Sequence, residues 1–274
     1  MFLEAVTVIL KSNTYLVIKW FYYIRGKLME NKSKGLSATS LFAIAFVLLF
    51  INHFCFAYDD YVGMSHTLSE LQWFITRPYC ILFYFLIAES MYRTKDRKKF
   101  ILALLVLAVA SECIYDKLFN HVYFDFTDQN DAFDFFMCAL SIFVYDKFNG
   151  KKTLQILSVI VLCVISWVTN LSGNVIAILS TLTFHILRDD KRKPYVAAIV
   201  IVVATFMLYA VWVLQGRVVP EKSLYFSIQQ AFAVFAIPLI AKYNGQIGNL
   251  PKWAYYAFYP AHLLFIVLVF SLVV

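Results

Sequence analysis

Charge is scarce in this chain. Only 15% of its 274 residues are Asp, Glu, Lys or Arg, against 62% apolar residues and a mean hydropathy of +0.72. Soluble domains run to about a quarter charged and about half apolar, so too little polar surface is left to cover a water-facing globule. Cysteine is sparse too. Cys55, Cys80, Cys113, Cys138 and Cys163 lie in five different apolar stretches and form no C-x-x-C pair, which excludes a disulfide framework and a zinc site. The N-terminus does not read as a secretory leader, because Glu4, Lys11 and Lys19 interrupt its apolar run and no A-x-A site follows. G-x-S-x-G, Walker, H-E-x-x-H and dinucleotide fingerprints are missing. So is any internal repeat. Pro78, Pro238 and Pro260 fall near or within apolar runs, but broken spans are few, which weighs against a secondary transporter.

What remains is a series of apolar runs long enough to cross a bilayer, at approximately 39–58, 73–92, 100–120, 131–148, 153–170, 172–187, 194–215, 224–242 and 253–273. The formal charge of +7 does not collect on one element, which excludes nucleic-acid binding. It falls in short runs between the spans instead. With a cytoplasmic N-terminus, inside segments hold Arg93, Lys95, Arg97, Lys98 and Lys99, then Lys147, Lys151 and Lys152, then Arg188, Lys191, Arg192 and Lys193, and finally Lys242 and Lys252. Outside segments hold only Lys117, Arg217 and Lys222, and carry Asp59, Asp60, Glu70, Asp125, Asp128 and Asp131. Every alternate loop obeys the positive-inside rule. The sequence therefore predicts an all-α polytopic bundle of about nine spans over 39–274. Residues 1–38 precede it as an interfacial segment, with Glu4, Lys11 and Lys19 on one helix face and Phe2, Val6, Ile9, Leu16, Trp20 and Tyr23 opposite.

A charge at membrane depth costs roughly 2.5–3.5 kcal/mol even on the lenient insertion scale, so each needs a reason. The candidates are His53, Arg77, Glu89, Glu112, Asp134, His185 and His262, with Arg93 where the second span leaves the membrane. Several have plain readings. Arg77 and Arg93 can snorkel, Glu89 and Arg93 are spaced i, i+4 for an intrahelical pair, His185 is interfacial, and Asp134 sits at the outer boundary. His53, Arg77, Glu89, Glu112 and His262 still form a polar file across the first, second, third and ninth spans. A histidine near a carboxylate suits general-base chemistry, and an arginine suits an oxyanion or an anionic group. Residues alone support a membrane enzyme or a transporter or flippase with a polar core.

Local strings go further. They are Phe50-Ile51-Asn52-His53, R-P-Y-C-I-L-F-Y-F-L-I-A-E-S-M-Y-R-T-K-D-R-K-K-F at 77–100, A-S-E-C-I-Y-D at 110–116, Q-N-D-A-F-D-F-F at 129–136, Y-N-G-Q-I-G at 243–248 and W-A-Y-Y-A-F-Y-P-A-H-L-L at 253–264. In this order and over residues 40 to 265 the chain resembles the TraX family, membrane proteins named for acetylation of conjugative pilin and grouped with other transmembrane acyltransferases.

The resemblance implies acetyl transfer from cytoplasmic acetyl-CoA to a hydroxyl or amine acceptor at or across a bacterial inner membrane, with no metal. It implies catalytic roles for His53, Glu112, Arg77 and His262. Glu89, Arg93, Arg97, Lys98, Lys99 and Tyr259 are expected around acetyl-CoA, and Gln129 and Asn130 around the acceptor; Pro260 belongs to the same motif. Expected partners are membrane lipids and an envelope acceptor (pilin, glycan or lipid), and a homo-oligomer is compatible. Two positions depart from the family pattern: Asn52 where an acid usually precedes the histidine, and Asn170-Leu171-Ser172-Gly173 where a D-Y-G-like segment is usual. Either Glu112 then serves His53 in place of the missing acid, or His53 is a weaker base here. The departures also leave open a non-catalytic envelope assembly factor.

Overall fold

The computed structural model describes residues 35–190, 192–216 and 220–273; among them the chain is helical, with two isolated β-bridges and no strands. The expected amphipathic N-terminal helix lies outside the described residues. Each apolar run coincides with a helix or a short series of helices. α1 spans Ala38–Tyr61, α2 His66–Thr76, α3 Pro78–Arg93 and α4 Arg97–Phe119. α5 covers Asp131–Lys147, α6 Lys152–Val168, α7 Asn174–Ile186 and α8 Lys193–Leu214. α9 (Pro220–Ala231) passes through a 3-10 turn at Phe232–Ala236 into α10 (Ile237–Ala241), and α11 runs over Lys252–Val273. Among the described residues four rods are long and apolar enough to cross a membrane: Ala38–Tyr61, the α2–α3 pair His66–Arg93, Lys193–Leu214 and Lys252–Leu272. Lys152–Val168, Asn174–Ile186 and Ser227–Ala241 are apolar but shorter.

Local chemistry sets the helix ends. The side chains of Ser37, Asp96 and Asn130 cap α1, α4 and α5 by accepting from the backbone N–H groups of Ser40, Lys99 and Ala132. Pro78 opens α3 at its first position, where a missing N–H is no loss; its ring also disrupts the α2–α3 rod at the carbonyl four residues back.

Packing then sorts the helices by what solvates them. α3 is enclosed by α1, α5, α7 and the 3-10 turn, and all but four of its 16 residues are buried. α6 is turned inside out. Gln155, Leu162 and Ser166 are its only buried residues, while Ile156 is 61% and Val168 75% exposed. A helix that keeps its polar side chains inward and spreads its apolar ones outward is solvated by lipid. Leu102, Val106 and Val109 on α4, Ile199 and Met207 on α8, and Leu268 on α11 continue that exposed apolar band. The chain is a multi-pass helical membrane protein.

The connections divide between two ends. At the basic end, Asp146 takes Arg97 (2.6 Å) and His185 (2.8 Å), Arg93 donates to the Gly245 carbonyl (2.8 Å), and Leu36 bridges Tyr243. At the acidic end His121 pairs with Asp60 (2.8 Å), and Gln129 bridges Leu171. This is the alternation that the loop charges require.

One connection does not stay at its end. Asn130 Nδ2 donates to the Ala108 carbonyl (2.9 Å), and Ala108 lies about 16 Å along α4 from its last residue, Phe119. The segment after α4 therefore reaches this depth at Asn130, which is fully buried, while residues 121–124, 126 and 127 stay exposed on the way; irregular backbone at depth is tolerated where protein surrounds it. α5 starts at that depth. Asp131 and Asp134, expected outside and at the outer boundary, are instead buried in its first turn, where the partial positive charge of the helix favours carboxylates. The 169–173 turn follows them down: Asn170 Nδ2 donates to Thr127 O (2.7 Å) and Gly173 N to Asp134 Oδ2 (2.6 Å). A Cβ at Gly173 would lie 2.0 Å from the Tyr84 hydroxyl, so only glycine permits the approach.

Candidate active site

The buried face of α1 repeats at helical spacing through Leu41, Ala45, Leu49, Asn52, His53 and Ala57. On α11, Tyr259, His262, Leu263 and Ile266 turn inward in the same way. The two stripes bring the histidines together: His53 Nδ1 lies 2.8 Å from His262 Nε2, with the rings nearly parallel. His262 Nδ1 faces the Phe258 carbonyl (3.1 Å), and His53 Nε2 faces Asp131 Oδ2 (3.4 Å). The Tyr79 hydroxyl donates to that same Asp131 oxygen (3.1 Å). All four side chains are buried.

Counting protons shows what this row does. A carbonyl stands at one end and a carboxylate at the other, so neither end donates. Three gaps lie between them, and two neutral imidazoles fill two. With both rings neutral, two N–H groups serve three contacts, so one contact is short of a proton, and the tautomers set which one. A proton taken up by the row fills all three and places an imidazolium beside the Asp131 carboxylate. The arrangement is that of a general base with a carboxylate waiting for its protonated form.

The acid on His53 is Asp131, not Glu112. Glu112 Oε2 accepts instead from the Asn130 side chain and from Asn130 N (3.3 Å), and its Oε1 has no partner. Asn130 is thereby spent on Glu112, on Ala108 O and on capping α5, and Gln129 pairs through its backbone with Leu171. Asn52 turns away from His53 and donates to Thr76 Oγ1 (2.9 Å) and Gln72 Oε1 (3.3 Å). An acid could not make those donations. α5, which lies outside the expected polar file, thus supplies the carboxylate of the relay.

Two cavities approach the relay from opposite ends. A cleft of about 340 Å³ starts at the basic end beside Arg93, Thr94 and Lys252 and runs between aromatic and aliphatic walls to Phe135 and Tyr259. There the Tyr259 ring centroid is 5.2 Å from that of His262, and the buried Tyr259 hydroxyl has no partner. A second cavity of about 170 Å³ opens among polar residues at the acidic end; Arg77, Tyr79, Asp128, Asp131 and Asn170 are in its wall. Phe135 lines both. Arg77 lies over the Trp73 ring at 4.0 Å.

The basic end holds a different cluster. Glu89 Oε2 accepts from Arg93 Nε (3.3 Å), Arg93 Nη2 (3.2 Å) and the Tyr243 hydroxyl (3.2 Å), and Arg188 Nη2 lies at 3.5 Å. Burial and the Glu89 carboxylate push the Tyr243 phenol up to about 12, so it stays a neutral donor. The expected Glu89–Arg93 pair is present, but as part of this larger set. Arg97, expected at a donor's phosphates, is held by Asp146 and by Met91 O (3.0 Å). Lys98 and Lys99 are exposed, and Lys252 joins the cleft mouth. Among the described residues no cluster of His, Cys, Asp and Glu is arranged for a metal ion.

Asp131, Tyr79, Tyr243 and Arg188 escaped the sequence reading. Asp131 had one signal, the Asn-Asp pair that opens an apolar run, which marks a helix start.

Comparison with curated proteins and with solved structures gives no match. Residues 37–270 match the family described as TraX protein, a stretch that takes in every helix of both clusters. On that coverage the chain belongs to the TraX family.

Proposed function

We propose that the chain is a membrane-embedded acetyltransferase of a bacterial inner membrane, moving an acetyl group from acetyl-CoA to a hydroxyl or amine acceptor. The observation that carries this reading is the approach of two unlike cavities, with Phe135 in the wall of both, to one buried relay from opposite ends. The apolar cleft suits a thin acyl-bearing arm entering from the basic end, which the positive-inside rule assigns to the cytoplasm together with the N-terminus. Arg93, Lys252, Lys98 and Lys99 would face the donor's phosphates, with Glu89 holding Arg93 in place. The polar cavity suits an acceptor arriving from the opposite side.

Transfer makes a bond from the acceptor's oxygen or nitrogen to the acyl carbon, breaks the C–S bond, and moves one proton from acceptor to leaving thiolate. Asp131, in the cavity wall, takes that proton with His53 behind it; the thiolate leaves through the cleft and takes up a proton at its wet mouth, and the relay gives its own proton back to the medium, so that one proton is transferred in all. The free Tyr259 hydroxyl donates to the developing oxyanion. No step requires a metal.

Purified full-length chain in nanodiscs, supplied with radiolabelled acetyl-CoA, should release CoA. His53→Ala should cut that rate by about 10³-fold or more while insertion and thermal unfolding stay near wild type. Retained turnover would remove His53 from the relay role. Solute movement without CoA release would replace the transferase with a transporter, and neither activity would favour an assembly factor.

A further inference from the structure

We infer that the cavity at the acidic end is an oxyanion site, in which Arg77, Trp212 and Thr205 hold a carboxylate or phosphate group of the acceptor molecule. The identity of the occupant as acceptor rests on the transferase reading; the anion chemistry does not.

Three buried polar atoms on this wall have no hydrogen-bond partner: Arg77 Nε, Trp212 Nε1 and Thr205 Oγ1. Arg77 and Trp212 can only donate, and the Thr205 hydroxyl is free to do so. Thr205 is fully buried. What completes this set must therefore accept. Among the described residues the Arg77 side chain makes no hydrogen bond and no ion pair. Its guanidinium stacks on Trp73, and stacking uses the faces of the group while leaving its N–H edges free. A stacked, unpaired arginine beside two further orphan donors matches the planar or tetrahedral array of oxygens in an oxyanion.

The two acids in the cavity wall do not reverse this conclusion, because both already have partners, and Asp134, whose Oδ1 has none, lies behind Gly173 and outside that wall. Asp128 accepts from the Tyr115 hydroxyl (3.1 Å), and Asp131 from Tyr79 while facing His53. An ammonium occupant would compete for satisfied carboxylates and leave all three donors orphaned. The volume, about 170 Å³, admits a small charged group. The Asp131 wall places whatever is attached to that group beside the relay.

The test uses full-length protein in nanodiscs without acetyl-CoA, titrated with inorganic phosphate and separately with glycolate. Tryptophan fluorescence and thermal unfolding are both followed. Saturable binding of one probe is expected, and the better probe names the source as phosphate or carboxylate. Arg77→Gln should weaken it about tenfold or more, and Thr205→Val, which keeps the shape of the wall, several-fold. Trp212→Phe should remove most of the fluorescence response and keep a thermal shift. Should Arg77→Gln fail to fold, Thr205→Val decides. Binding that neither variant weakens, or no saturable binding at all, overturns the site. Wild-type CoA release is scored independently. Arg77-dependent anion binding without CoA release leaves this site standing and removes the transferase, whereas CoA release without such binding removes this site alone.

Discussion

The two polar clusters of this bundle are built from the same residue types and differ in whether they are finished. At the basic end one carboxylate oxygen of Glu89 is surrounded by Arg93, Arg188 and Tyr243, and Arg93 also reaches Gly245 O. Every charge there has a partner. At the acidic end the relay of His262, His53 and Asp131 lacks one proton, and orphan atoms surround it on Tyr259, Glu112, Arg77 and Thr205. Leaving a buried polar group unpaired costs about 1–3 kcal/mol. A fold that satisfies one cluster and leaves the other open has kept the open one for something other than stability. The closed cluster joins α3, α7 and the α10–α11 loop; the open one stands between two cavities.

Neutralising one acid in each cluster should separate these roles. Asp131→Asn keeps shape and the Tyr79 hydrogen bond, but removes the countercharge for protonated His53. CoA release should fall by about 10³-fold or more with little change in unfolding temperature. An equal loss of stability, with turnover retained in the folded fraction, would make Asp131 a second Glu89. Glu89→Gln should act mainly on stability, with a raised KM for acetyl-CoA as Arg93 loses its anchor and kcat retained in the folded fraction. It strands Arg93 and Arg188 without their shared anion and should destabilise by about 2–4 kcal/mol. That range sits at the lower side of what a buried pair shows, because the Arg93 and Arg188 side chains are 30% and 20% exposed. Thermal unfolding reads it directly. A Glu89→Gln protein as stable as wild type but unable to turn over acetyl-CoA would move Glu89 into the reaction.

The same contrast explains what the sequence could reveal. The helices were legible because hydropathy and loop charge act locally and every residue in a span contributes. The pairing of Glu89 with Arg93 was legible because both lie on one helix, one turn apart. The meeting of His53 and His262 could be anticipated from burial cost, since each histidine is expensive alone. Asp131 could not. Its depth depends on residues 120–130 leaving the end of the bundle, and nothing in D-F-T-D-Q-N separates a surface loop from a descending one. The choice of Asp131 over Glu112 rests on Asn130, whose amide binds Glu112 and whose oxygen starts α5. The two amides standing where acids are usual are not simple losses of charge. Asn52 donates to Gln72 and Thr76, and Asn170 to Thr127, so each amide performs a donation that an acid cannot.

The smallest expected effect lies at the mouth of the cleft. Lys98 and Lys99 are exposed and immediately precede Phe100, which lines the apolar cleft, whereas Arg97 is turned away to Asp146. Exposed cations attract an anionic ligand weakly and through salt-screened fields. Changing both lysines to Ala should raise the KM for acetyl-CoA only about three- to tenfold, leave kcat near wild type, and shrink toward no effect as salt is raised from about 0.05 to 0.5 M. A change in kcat instead would mean that the pair orders α4, on which Glu112 and the floor of the descending segment depend. An unchanged KM at low salt would leave these lysines with the orienting role that any basic loop has, and would leave Arg93 and Lys252 as the cations of the cleft mouth.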